Sequence, residues 1–166
     1  MDKQPILSVR NLNVKFSLRG RVLHAIRDVS LDLYPGESLA IVGESGSGKT
    51  VLTKSFMGLN DANGWVDSGS ILYGGQDLAT FTTEKQWLTI RGREIAMILQ
   101  DPMTSLNPLK TIGAQIGEAL RLHQGLRGQA AQQRIIEILH DVGIPDPAQR
   151  AKQYPHQFSG GMRQRV

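Results

Sequence analysis

Gly43-Glu44-Ser45-Gly46-Ser47-Gly48-Lys49-Thr50 is the stretch whose reading decides the fold. It satisfies G-x-x-x-x-G-K-[ST], the phosphate-binding P-loop, at every fixed position. The glycines let the backbone wrap a phosphate closely with its N–H groups turned inward, where a Cβ would obstruct. Lys49 is expected to place an ammonium on the β- and γ-phosphates, and Thr50 to offer a hydroxyl to Mg²⁺. Glu44, Ser45 and Ser47 complete the loop. The motif requires a strand before it and a helix after it. Leu39 to Val42 reads as a short buried strand, and Val51 to Leu59 as the helix, whose N-terminal dipole would add to the anion site. These residues imply a site for a nucleoside triphosphate.

Upstream, Ile6 to Phe16 alternates loosely and Leu23 to Leu33 alternates more clearly through Leu23, Ala25, Val29, Leu31 and Leu33. Both read as strands of a small antiparallel sheet, joined through the turn-rich Ser17 to Arg21. Pro35-Gly36 makes the next turn. Phe16 closes the first strand and, on its own, reads first as a core aromatic.

Downstream, Asn60 to Gly69 is polar and glycine-bearing, and reads as a loop. Ser70 to Tyr73 reads as a short strand with Gly74-Gly75 as its hairpin turn. Thr82 to Leu88 carries N-cap candidates and a helical pattern ending near Gly92. Ile95 to Leu99 is apolar throughout, the pattern of a parallel strand buried on both faces. Gln100 follows at its carboxyl end, either a site residue or a polar strand cap. From about Met103 to Gln157 the pattern becomes helical. Ile112, Ile116, Ala119 and Leu120 share one face; Ala131, Ile135, Ile136, Leu139 and Val142 form a second, with Gly143 as its stop. Ser159-Gly160-Gly161 before a final helix is either a common loop or a second anion-binding helix start.

The composition suits one globular domain: 166 residues, 40% hydrophobic and 20% charged. Cys is absent, which excludes disulfide scaffolds and thiolate metal sites. Met1 to Pro5 lacks the pattern of a signal peptide, and no apolar run approaches the ~20 residues of a membrane span. The net charge of +4 is spread along the chain rather than clustered, so it reads as a solvated surface and not as a nucleic-acid site. His123, His140 and His156 share no metal-ligand spacing.

The order of these features resembles the ATP-binding subunits of ABC transporters: a P-loop, a Gln at a strand end, a helical stretch, then Ser-Gly-Gly and Gln164. Phe158 to Met162 is similar to that family's Leu-Ser-Gly-Gly-Gln signature, with Phe158 and Met162 at its ends. Gln100 matches the Q-loop, and Phe16 falls where the family has an adenine-stacking aromatic. Ile90 to Pro108 and Pro155 to Val166 closely resemble the oligopeptide and dipeptide importer branch, wording that nickel importers share.

The resemblance implies an α/β fold: a P-loop NTPase core of ABC type with an amino-terminal antiparallel β subdomain and a helical subdomain. Residues 1–102 would be the β subdomain plus nucleotide core, 103–157 the helical subdomain and 158–166 the signature. It implies ATP and Mg²⁺ as cofactors, with Thr50 and Gln100 toward the metal and Lys49 and Gln100 at the chemistry. Ser159, Gly160, Gly161 and Met162 would face a nucleotide held by a second ATP-binding subunit. Transmembrane permease subunits and, indirectly, an extracytoplasmic substrate-binding protein are the other implied partners, at the cytoplasmic face of the inner membrane. The family's Walker B Asp, catalytic Glu and switch His would follow Val166, so the sequence resembles an amino-terminal fragment, expected to bind nucleotide poorly and not to turn it over. Two readings stand beside it: an ATP-binding module without hydrolysis, and a DNA-handling ATPase of the same family.

Overall fold

In the computed structural model, residues 4–98 and 105–166 are described. They form two compact units, Met1–Ile95 and Ala96–Val166.

The amino-terminal unit is built on an antiparallel sheet of order β2-β1-β3-β4: β1 Leu7–Leu18, β2 Arg21–Leu33, β3 Gly64–Tyr73 and β4 Gln76–Asp77. β1 is central, with Phe16 opposite Leu23 on β2 and opposite Gly64 on β3. Alternation sends Val9, Leu12 and Val14 inward, all with no exposed surface, against Ile26, Leu52, Ile71 and Leu78. The alternation is loose because the ladder is bulged. Asn11 (φ 46°) and Asp28 (φ 51°) take left-handed conformations, and Asn11 Nδ2 donates to Asp28 Oδ1 at 2.7 Å. Asn13 Oδ1 accepts from the Asp28 amide, holding the same irregularity from the next residue.

Between β2 and β3 lies helix α1, Lys49–Ser55. After β4 come a 3₁₀ turn, Leu78–Thr80, and the short helix α2, Glu84–Trp87, started by a capping box between Thr83 and Gln86. Arg91 fixes the far end of α1. Its Nε donates to Met57 O (2.7 Å) and its Nη2 to Gly58 O (2.8 Å), while Nη1 pairs with Glu84 and the guanidinium lies over Trp87. Carbonyls that would otherwise be orphaned past the helix end are thereby satisfied.

Three expectations are corrected here. Leu39 to Val42 is neither strand nor buried: Leu39 is 44% exposed and Val42 90%. Ile95 makes a single bridge with Arg91, residues 96–98 are not strand, and Ile98 is 95% exposed; Leu99 lies outside the described residues. An apolar run becomes a strand only where a neighbour takes its ladder hydrogen bonds, and among the described residues none does. Conversely, the expected loop Asn60 to Gly69 is half strand, because β3 starts at Gly64. Gly64 is there for clearance: a Cβ on it would lie 2.5 Å from Phe16 Cε1.

The second unit is helical: α3 Ile112–Gln124, α4 Gly128–Asp141, α5 Pro147–Arg150 and α6 Gly160–Arg165. Thr111 caps α3 through the Ala114 amide, and Gly125 ends it in the left-handed region. Gly143 (φ 69°) stops α4 as the pattern requires. The apolar stripes meet in a core of Ile112, Leu139, Ile144 and Phe158.

Candidate functional site

The phosphate loop closes on itself through Lys49. Its Nζ donates to Gly43 O and Glu44 O, both at 2.7 Å, and to Ser47 Oγ at 3.3 Å. A turn bond from Ser47 N to Glu44 O (3.2 Å) tightens the curve, and Leu52 N to Gly48 O (2.9 Å) begins the helical ladder. Gly48 is required twice over. Its φ of 92° is one that side-chain-bearing residues rarely adopt, and a Cβ there would meet Ala25 O at 2.9 Å and Ile26 Cδ1 at 2.8 Å. The loop therefore rests on β2 with no room to spare. No side chain caps α1, so its first amides are available to a ligand. Thr50 follows Lys49 in the first turn and is exposed.

Phe16 is half-buried against the sheet core and also lines a cavity of about 390 Å³. Gly46, Ser47 and Gly48 of the loop and Val51 of α1 form other parts of that wall. An aromatic side chain and the glycine-rich loop thus line one concavity, the combination a nucleotide needs. Asp61 and Asn63 line it too, residues the sequence reading passed over as part of a polar loop. The signal available was position: this loop returns from α1 to β3, the strand that runs beside Phe16.

The Ser-Gly-Gly segment lies in the second unit. Phe158 is buried there at 3% exposure, in the same core as Ile112 and Leu139. Ser159 is the N-cap of α6, its Oγ accepting from the Met162 amide at 3.3 Å. Arg165 ties α6 to the end of α4, with Nη1 donating to Val142 O (3.1 Å) and Gly143 O (2.6 Å). Gly160 and Gly161 are exposed, and a Cβ on either would meet nothing within 4 Å. Met162 is half-buried against the core. Gln100 lies outside the described residues.

Three carboxylates are held below the usual carboxylate range, each first by a hydrogen bond from a cation: Asp32 by Arg10, Asp67 by Lys15 and Glu118 by Lys110. The first two brace the amino-terminal sheet, and the third stands on α3 of the second unit. Among the described residues no cluster of three or more His, Cys, Asp or Glu could hold a metal, and no helix is long and apolar enough to cross a membrane.

A family model described as ABC transporter matches residues 26–166. The chain belongs to that family. Among curated ABC proteins it is 53% identical over 165 residues to the oligopeptide transport ATP-binding protein AmiE of Streptococcus pneumoniae, covering 99% of this chain and 46% of that one. The dipeptide transport ATP-binding protein DppD of Bacillus subtilis is 51% identical over 164 residues, covering 98% and 49%. The chain spans about half the length of the curated relatives it matches. Solved ABC structures show the same fold. A dimeric post-hydrolysis state of the ATP-binding cassette MJ0796 bound to ADP and Pi superposes with a TM-score of 0.80 at 23% identity, covering 96% of this chain and 66% of that one. CbiO1 of Clostridium perfringens gives 0.69 at 22%, covering 98% and 59%.

Proposed function

We propose that the whole protein to which this chain belongs is the ATP-binding and ATP-hydrolysing subunit of a peptide importer. The observation that carries the reading is the cavity in which Phe16 meets Gly46, Ser47 and Gly48. Its residues fit ATP: an aromatic face for the base, and a backbone curl with an ammonium beside it for the phosphates. The likeness to oligopeptide and dipeptide transport ATP-binding proteins supports the peptide substrate class and the transport role.

In this mechanism backbone amides of the loop and of the uncapped start of α1 donate to the phosphates, and Lys49 exchanges its bonds to Gly43 O and Glu44 O for phosphate oxygens. A fixed set of donors neutralises charge there without reorganising at the moment of reaction. Thr50 and Gln100 help to hold Mg²⁺, which arrives with the nucleotide. When bound, ATP and Mg²⁺ supply the transferable phosphoryl group and its charge compensation. Phe16 takes the adenine face.

Ser159, Gly160, Gly161 and Met162 form the surface that meets nucleotide on a second ATP-binding subunit. The open space around both glycines supports this, since a backbone without side chains admits a phosphate closely. Closure of such a dimer makes ATP binding favour one transporter state over another. The helical stretch 103–157 faces transmembrane permease subunits, themselves served by an extracytoplasmic substrate-binding protein. The subunit lies peripherally at the cytoplasmic face of the inner membrane.

The test is Lys49→Ala. ATP affinity should fall by about tenfold or more, the worth of a charge-assisted contact, while the thermal melt is nearly unchanged. In the assembled importer the variant should abolish ATP-dependent uptake of a labelled oligopeptide. Unchanged ATP affinity overturns the P-loop assignment; Lys49-dependent uptake of nickel without peptide overturns the substrate class.

A further inference from the structure

We infer that Asp61 reads the base of the bound nucleotide, accepting a hydrogen bond from the exocyclic amine of a purine stacked on Phe16. The inference rests on the nucleotide reading above and goes beyond it by naming what selects the base.

The loop from α1 to β3 is clamped to the residue that follows Phe16. Ser17 N donates to Asn63 O at 2.9 Å, and Asn63 Nδ2 donates back to Ser17 O at 2.9 Å. Two residues earlier, Asp61 O accepts from Gly64 N at 2.8 Å, and Gly64 is the residue that gives the Phe16 ring its clearance. Ring and carboxylate are thus set by one short piece of backbone, and both line the same cavity. Asp61 contributes to the fold through that carbonyl. Its carboxylate is exposed and takes no partner among the described residues.

A carboxylate accepts hydrogen bonds and donates none. Beside a triphosphate it would be repelled; at the edge of a stacked base it finds a donor in the 6-amino group and rejects a carbonyl in its place. A site that hydrogen-bonds a substrate N–H discriminates against the analogue lacking it more strongly than shape alone can. The clamp through Asn63 keeps the loop from following a ligand that offers no donor.

The experiment measures equilibrium binding of ATP, purine riboside triphosphate (ATP without the amine), 2′-deoxy-ATP and inorganic triphosphate to the full chain, as wild type and as Asp61→Ala. Wild type should prefer ATP over the analogue without the amine by about ten- to 150-fold, the range of one hydrogen bond to a charged group. Asp61→Ala should bring that ratio to about one, with inorganic triphosphate affinity unmoved. Asn63→Ala, which loosens the loop but keeps the carboxylate, should lower the ratio part of the way. A ratio that persists in Asp61→Ala, or is absent in wild type that binds ATP through Lys49, overturns this inference alone. A loss confined to the comparison of ATP with 2′-deoxy-ATP overturns it by placing the carboxylate on the ribose. Wild type that binds no ATP removes the nucleotide reading and this inference with it.

Discussion

Two helix starts in this molecule carry glycine before basic residues, and they are built on opposite logic. At α1 the glycine is imposed from within. Gly48 sits at φ 92° with Ala25 O and Ile26 Cδ1 where a Cβ would go, and no side chain caps the helix. At α6 the cap is filled by Ser159, the preceding Phe158 is anchored in the core, and Gly160 and Gly161 have open space around them. The first pair of constraints makes glycine a condition of folding the loop. At the second, no contact among the described residues requires glycine.

The largest effect should separate these two cases. Gly48→Ala combines a disfavoured backbone with a clash against β2, each costing about 1–3 kcal/mol, and should both lower the melting temperature and abolish ATP binding. Gly160→Ala stands at a position whose backbone any residue can adopt, and such a change commonly stabilises by about 0.4–1 kcal/mol. It should leave the melt unlowered or slightly raised and ATP binding to the isolated chain intact, while impairing uptake by the assembled importer. Thermal melts, nucleotide titration and uptake on both variants check this. A Gly160→Ala chain as unstable as Gly48→Ala would erase the distinction.

The same contrast marks what could be read in the sequence. The loop of residues 43–50 and the helix that follows it were legible as a pattern, because the motif needs fixed residue types at fixed spacing. The two longer helices of the second unit were legible because their apolar stripes and the Gly143 stop are local, acting within a few residues of themselves. Strand assignment failed where it depended on partners. Leu39 to Val42 and Ile95 to Ile98 have strand composition, yet no described segment supplies their ladder. β3 was half missed because Gly64 was read as loop punctuation, when it is clearance for Phe16. Arg91 gave no signal at all: its partners Met57 and Gly58 are more than thirty residues away, and they are backbone carbonyls that any residue would offer.

A smaller effect tests the aromatic end of the nucleotide cavity against its phosphate end. Phe16→Ala should weaken ATP by about five- to 150-fold, the range that follows from about 1–3 kcal/mol of base–aromatic stacking, while inorganic triphosphate loses little. Because Phe16 also packs on the sheet, the ratio of the two affinities is the quantity to follow. Equal losses for both ligands would return Phe16 to a purely structural role and leave the P-loop as the sole determinant of binding.

The smallest expected effect compares the two units under acid. Asp32 and Asp67 hold strands of the amino-terminal sheet, while Glu118 stands on α3 of the second unit. All three have folded pKa values depressed by a cationic partner, Asp67 by Lys15 above all. A depressed carboxylate contributes stability that is complete above its unfolded value, about 4, and that disappears as pH falls from there through the lower folded value. These pairs are solvent-screened, so the contribution is small and weakened further by salt. Trp65 and Trp87, the chain's two tryptophans, both lie in the amino-terminal unit, and Trp65 Nε1 donates to Asp67 Oδ1 at 3.4 Å. Tryptophan fluorescence therefore follows the sheet, whereas far-ultraviolet circular dichroism is weighted toward α3 and α4. On lowering the pH below about 4, the thermal midpoint seen by fluorescence should fall more than that seen by dichroism. In Asp67→Asn part of that extra fall should vanish, because the neutral amide has no proton to gain. An acid shift in Asp67→Asn as large as in wild type would show that the Lys15 pair does not hold β1 to β3 in the way its 2.7 Å contact indicates.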